Sequence, residues 1–416
     1  MEVFEALESE VRSYCRNWPA VFDRALGSWL YDESGRPYLD LFAGAGALNY
    51  GHNNPALKQP LLDYLGADRV THSLDMFTAA KRDFLTTVHE LLLAPRGLDY
   101  RVQFPGPSGN NAVEAALKLA RKLTGRTEVV CFTGGFHGVT LGALAVTANP
   151  THRKAAGVPL KHATPMPFDH GLDGQSPDFS ALDRLLEGGG SELPAAVIVE
   201  AVQGEGGVRL ARETWLRELA VRCCHHEIPL IVDEVQMGCG RTGPFFSFEP
   251  AQIRPDIVCL SKSISGYGLP LALTLIRPEL DVWEPGEHNG TFRGFNPALV
   301  TGAAALRTFW SDDDLHRRTL TAGRRLAAAL TALAGSVAHG AIEVRGRGLV
   351  HGLAFRRSEL AARVSAAAFA RGLLVETAGP RDEVVKLMPP LTITDEELDE
   401  ALVRLTGAVE DCCGGK

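Results

Sequence analysis

The 416 residues are too many for one ordinary domain, and with 45% apolar and only 22% charged residues the chain can bury a sizeable core. Its 42 basic and 50 acidic residues give a net charge of −8 without basic blocks. That argues against nucleic acid and against an anionic membrane surface, and leaves small solutes as the expected partners.

The N-terminus, "MEVFEALESEVRSYC", is acidic and lacks an apolar signal core. No stretch approaches the roughly 20 apolar residues that a membrane span requires. A cytoplasmic protein of one large and one smaller lobe is expected. The eight cysteines (Cys15, Cys131, Cys223, Cys224, Cys239, Cys259, Cys412 and Cys413) form no CxxC pair or regular framework, so reduced thiols are expected.

"FPGPSGNNAVEAA" (104–116) has turn-forming Gly and Pro and then small polar residues opening a helix. Backbone amides and a helix dipole are offered to a phosphate in that way, although the GK[ST] ending of a P-loop is missing and an ordinary capped helix fits as well. The helix itself spans 111–125, with Val113, Ala116, Leu117 and Ala120 on one stripe and Gly125 as its stop. Short apolar runs at 128–132, 195–202, 228–234 and 256–262 read as strands buried on both faces. After the first comes "CFTGGFHG" (131–138), a flexible turn whose Phe136 is either core or a plate for a planar ring, with His137 beside it. "EGGGSELP" (187–194) is the plainest loop.

The alternation of strand and helix across 100–280 argues for an α/β architecture with a mostly parallel, doubly wound central sheet. "CCHH" (223–226) invites a metal, but four consecutive helical side chains cannot converge on one ion, and no metal is expected. The C-terminal third has alanine-rich helical stretches at 298–334 and 359–372 around short strands near "EVRGRGLVHGLAF", as in a second, α+β lobe, and "CCGGK" closes the chain as a frayed tail.

Open parallel sheets bind ligands beyond the carboxyl ends of their strands. Glu200, Asp233 and Lys262 each end an apolar run, so three ionisable groups from separate strands are expected at one edge, unless each is simply a solvated strand end. A phosphate seat, an aromatic plate, a strand-end acid and a strand-end lysine are what pyridoxal 5'-phosphate requires. The lysine condenses with the aldehyde as a Schiff base, and the acid keeps the pyridine nitrogen protonated so that the ring accepts electrons.

The words "YLDLFAGAGALNYGHNNP", "SGNNAVEAALKLAR", "FHG", "VEAVQGEGG", "DEVQMGCGRTG", "LSKSISGYGLPLA", "HNGTFRGFNP" and "VVKLMPPLTIT", in this order, cover almost the whole chain. In them the sequence resembles the class III, fold-type I pyridoxal-phosphate aminotransferases. Within that class "ALNYGHNNP", "PRGLDY", "SKSISGYGLP" and "PGEHNGTFRG" are similar to the diaminobutyrate aminotransferases of ectoine biosynthesis.

The resemblance implies a large domain with a mostly parallel sheet over residues 61–300, with residues 1–60 and 301–416 forming the smaller α+β domain. It gives Lys262 the Schiff base and the proton shuttle, Asp233 the pyridine nitrogen, Gln236 the ring hydroxyl and Phe136 the stacking face. Gly109 and Asn110 fall where the family has Gly followed by Ser or Thr at the phosphate, so Asn110 departs from the pattern. Thr291 matches the threonine that reaches the phosphate from a neighbouring subunit, which implies a homodimer with its sites at the interface. Arg293 next to it is a spare cation or one half of an ion pair.

Glu205 matches the glutamate that screens the substrate carboxylate. Lys386 stands where many ω-aminotransferases have a carboxylate-clamping arginine, and a lysine supplies charge but no bidentate fork. The implied reaction is amino transfer between glutamate and aspartate 4-semialdehyde, with Glu205 and Lys386 as a movable pair or, otherwise, as two unrelated surface charges. A mutase, racemase or decarboxylase of this fold would keep Lys262, Asp233 and Phe136 unchanged, and other small ω-amino acids would suit the same class. A nucleotide-binding protein fits less well, because no P-loop or GxGxxG follows a strand.

Overall fold

The computed structural model describes residues 2–169, 178–188, 193–337 and 341–413. Residues 189–192 of the expected loop and the last three residues of the expected tail lie outside the described residues.

The centre of the molecule is a seven-stranded sheet. Its strands are β1 (Arg101–Gln103), β2 (Val129–Phe132), β3 (Ala163–Met166), β4 (Ala196–Val199), β5 (Leu230–Asp233), β6 (Ile257–Leu260) and β7 (Leu273–Ile276), in the spatial order β1-β7-β6-β5-β4-β2-β3. All run parallel except β7, which is antiparallel to both of its neighbours. The exception has a local cause. Only a 3-10 turn, Lys262–Ser265, lies between β6 and β7, and without a crossover helix the chain returns beside β6 in the opposite sense.

Alternate side chains of the sheet enter two cores. Val130, Val197, Val232 and Val258 join the larger core, while Val129, Ile198, Ile231 and Ile257 face α1 (Gly109–Thr124). The stripe Val113, Ala116, Leu117 and Ala120 packs against that second set, and Gly125, at φ 68°, ends the helix in the left-handed conformation. Because both faces are covered, β2, β4, β5, β6 and β7 are buried at every residue and read as continuous apolar runs.

The run expected as one strand over 195–202 is interrupted. β4 stops at Val199, and Val202–Gln203 pairs instead with Arg209–Leu210, which leaves Glu200 in the gap at the sheet's edge. The expected helical stretch 298–334 is two helices, α2 (Asn296–Phe309) and α3 (Asp314–Ser336). Cys412 and Cys413 are not part of a frayed tail: they close the helix Asp395–Cys413 and pack against the main core. In "CCHH" Cys223 is buried and Cys224 is exposed, so the two thiols do not share a side of their helix.

The C-terminal part carries an antiparallel sheet of Ile342–Arg347, Val350–Phe355, Val384–Leu387 and Glu376–Ala378 in that spatial order. In its last pair Glu376 is directly opposite Lys386. A further sheet joins the two ends of the chain, with Leu373–Leu374 running parallel to Pro37–Asp40. Among the described residues no helix is long and apolar enough to cross a membrane.

Candidate active site

Asp233 is the last residue of β5, and its position at a strand end in a buried sheet fixes the carboxylate at the sheet's edge. One oxygen, Oδ2, lies 2.8 Å from Nδ1 of His137, and Oδ1 accepts the Val235 amide at 3.0 Å. His137 follows β2 and is buried. Burial opposes charge on its ring, but the hydrogen bond to Asp233 and the charges of Asp233 and Glu200 outweigh it and raise the His137 pKa. Glu200, in the gap after β4, accepts the amide of Phe136 at 2.9 Å, and burial pushes its carboxyl up to about 8. The acid is therefore mostly protonated at neutral pH.

Lys262 comes two residues after β6, in the left-handed region at φ 54°. Its Nζ donates to the carbonyl of Ala45 at 2.8 Å. Four successive residues there, Ala43, Gly44, Ala45 and Gly46, have positive φ (47°, 58°, 56° and 89°). Such a run is costly for alanine and turns a carbonyl inward where an ordinary helix would have bonded it. The same carbonyl accepts Nε2 of Gln236 at 3.2 Å. Burial, opposed by Glu205 and aided by Lys386, holds the Lys262 ammonium below the ordinary lysine range.

A second charge cluster adjoins the first. Oε1 of Glu205 accepts Nζ of Lys386 at 2.6 Å and Nε2 of Gln236 at 2.9 Å. Lys386 is wholly buried and is also paired with Glu376, at 3.0 Å, so it is not a surface charge. Although burial alone would raise the Glu205 carboxyl, Lys386 and Lys262 bring it down to about 2, and the same pairing raises the Lys386 ammonium against its own burial. Glu376 is pushed by burial up to about 7. Tyr14, which is exposed, packs its ring 5.0 Å from that of Phe42, next to the Ala43–Gly46 turn.

Phe136 and Glu205 both line a cavity of about 300 Å³ that also touches Thr133, Gly206 and Pro380. Asn110, in the first turn of α1, accepts the Val139 amide on Oδ1 at 3.1 Å. A Cβ on Gly138 would lie 1.8 Å from that oxygen, and one on Gly109 would lie 2.7 Å from Cγ1 of Val235. Glycine at 138 lets the loop after β2 close over the start of α1, and glycine at 109 lets the segment after β5 approach the same helix start.

The structure thus brings together Glu200, Asp233, Gln236, Lys262, Phe136, Glu205 and Lys386, with Gly109 and Asn110 at the adjoining helix start. It does not bring Thr291 to them. That residue is exposed in the turn Thr291–Gly294, and its carbonyl lies 2.7 Å from Nε2 of His72. Arg293 is paired with Asp75. Sequence reasoning missed two participants. His137 stands next to Phe136 in a short motif and was legible as a partner for an acid, but Glu376 has no local signal.

These residues fit pyridoxal phosphate. Oε1 of Gln236 is buried with no hydrogen-bond partner, and a ring hydroxyl would satisfy it. Asp233 ends β5 with its carboxylate oriented by His137 for a ring nitrogen, Lys262 offers an amine of lowered proton affinity, and the turn before α1 suits a phosphate.

The pattern of the family described as Aminotransferase class-III matches residues 12–409. The chain is 63% identical to a diaminobutyrate–2-oxoglutarate transaminase of Nocardia farcinica, over 99% of this chain and 95% of that one. It is 60% identical to a protein of the same name from Streptomyces avermitilis, over 99% and 98%. Among solved structures it resembles the ornithine aminotransferase of Toxoplasma gondii, with a TM-score of 0.86 and 27% identity, over 99% of this chain and 93% of that one.

Proposed function

The chain belongs to the class-III aminotransferases, and from that premise we propose that it transfers an amino group from L-glutamate to L-aspartate 4-semialdehyde, giving 2-oxoglutarate and L-2,4-diaminobutyrate. The observation that carries the reading is Lys386, buried between two carboxylates beside Lys262. Glutamate reacts at its α-carbon and brings a carboxylate against the cofactor. The semialdehyde reacts at its far end and brings none. A fixed buried cation would be left unpaired in one of the two cases, at a cost of several kcal/mol. Lys386 avoids this because Glu205 neutralises it when no substrate carboxylate is present.

Pyridoxal phosphate supplies an aldehyde for covalent attachment and a ring that accepts the electron pair left on the substrate carbon. The chain's residues do the rest. Lys262 would hold the cofactor through Nζ and then move the proton to and from the substrate carbon, a task suited to an amine whose pKa burial has lowered. Asp233 would pair with the ring nitrogen, its carboxylate oriented by His137. Gln236 would bind the ring hydroxyl, Phe136 would stack on the ring, and Gly109 and Asn110 would hold the phosphate.

Separate measurement of the two half-reactions tests the reading. Lys386→Met is expected to slow the glutamate half by one to two orders of magnitude, about 1.4–3 kcal/mol, and the diaminobutyrate half much less. Glu205→Ala is expected to act the other way round. Equal effects on both halves would defeat the exchange of partners, and a wild-type protein inert to diaminobutyrate plus 2-oxoglutarate would defeat the substrate assignment.

We also infer a homodimer. Val70, Leu74, Met76, Phe77 and Phe292 are all exposed, and Phe77 is fully so. The segments that carry them are joined by the Ser73 amide to the Gly294 carbonyl at 3.0 Å, so they form one apolar surface next to Thr291. A second copy covering it would bring Thr291 to the partner's phosphate. Cofactor affinity and dimerisation should then be linked. Phe77→Asp is expected to lower both together in light scattering and cofactor titration, and a fully active, cofactor-saturated monomer would refute the assignment. A cytoplasmic location suits the eight free thiols.

A further inference from the structure

Lys386 has two acidic partners of different kinds. Glu205 is on the connection after β4, is 30% exposed and lines the cavity beside Phe136. Glu376 is 4% exposed and is locked in a strand directly opposite Lys386, in the last pair of an antiparallel sheet. Cross-strand register fixes the distance between their backbones, so the Glu376 carboxyl stays within reach of the ammonium whatever Glu205 does. Glu205 is on a connection and has no such tether.

We propose that Glu376 is a positioning residue that holds the Lys386 ammonium in place when Glu205 withdraws, so that a substrate carboxylate meets a cation still directed into the site. The inference rests on the exchange of partners proposed above and adds the fixed member of that exchange. A long lysine side chain has four rotatable bonds, and with Glu205 as its sole partner the ammonium would follow the departing carboxylate. A buried ammonium with no counter-ion is also strongly disfavoured, so opening would be suppressed altogether. With Glu376 opposite, Lys386 keeps one carboxyl partner throughout and exchanges only the other. Burial raises the Glu376 carboxyl, the charge of Glu205 adds to the rise, and Lys386 opposes it.

The test compares the half-reactions of Glu376→Gln in the holoenzyme. The glutamate half is expected to show a KM raised about tenfold or more with kcat changed less than threefold, because the residue acts on carboxylate capture and not on proton transfer. The diaminobutyrate half, in which Glu205 stays on Lys386, is expected to change by less than about threefold in either parameter. Glu376→Asp keeps the charge but is one methylene short, and should give an intermediate rise confined to glutamate. It also serves as the test if the glutamine variant does not fold. Equal losses in both halves, or no change in the glutamate KM, would overturn the role of Glu376. A wild type whose glutamate half is itself insensitive to Lys386→Met would instead overturn the underlying reading.

Discussion

Replacing Lys262 with alanine is expected to abolish both turnover and covalent retention of the cofactor. Two lysines lie at the site, and their surroundings divide the labour. Lys386 is clamped by two carboxylates, its ammonium is stabilised, and it is a poor nucleophile. Lys262 has a backbone carbonyl as its hydrogen-bond partner and a lowered pKa, so the neutral amine that attacks an aldehyde is available there. Loss of at least three orders of magnitude in rate, about 4 kcal/mol, is expected. Borohydride reduction followed by peptide mass analysis checks the bond directly: an adduct should appear on the peptide containing Lys262 in the wild type and nowhere in the variant. A trapped adduct within the native site of the variant would overturn the assignment.

The second large effect is that of Asp233→Asn. The substitution preserves shape but removes the anion that pairs with the ring nitrogen, and Glu200 cannot replace it because burial keeps that carboxyl mostly protonated at neutral pH. His137 would lose the hydrogen-bonded charge that raises its own pKa, so it would tend to become neutral. A rate lower by two to four orders of magnitude, roughly 3 to 5 kcal/mol, is expected with the fold intact. Steady-state rates measured beside cofactor absorbance decide it. Near-normal turnover at full cofactor content would rule out this role.

The parts of the molecule that were legible in the sequence are those with a local signal. The helix ending at Gly125 and the strand runs are set by periodicity and by burial on both faces, and Asp233 and Lys262 were found because a charge after such a run is conspicuous. β7 was not singled out among the strand runs, and its antiparallel sense could not have been, because strand direction depends on the connection and leaves no mark on composition. Glu200 was read as a strand end and does stand directly after β4; what the sequence hid is that Val202–Gln203 belongs to a different pair, with Arg209–Leu210 further along the chain. Glu376 was invisible. Its meaning comes from the register of a hairpin and from Glu205, far away in the chain, meeting the same ammonium. Thr291 could be singled out by resemblance, but one protomer alone shows it exposed beside His72.

The left-handed backbone at Lys262 bears on how this protein could be engineered. At φ 54° any side chain with a Cβ is about 1–2 kcal/mol worse off than glycine. Heat tolerance and catalytic competence therefore pull this codon in opposite directions. A directed-evolution campaign scored only by survival after heating rewards relief of that strain and gives the amine no weight. A useful library holds that position fixed, together with the alanines of the turn that faces it, and seeks its gains at the periphery.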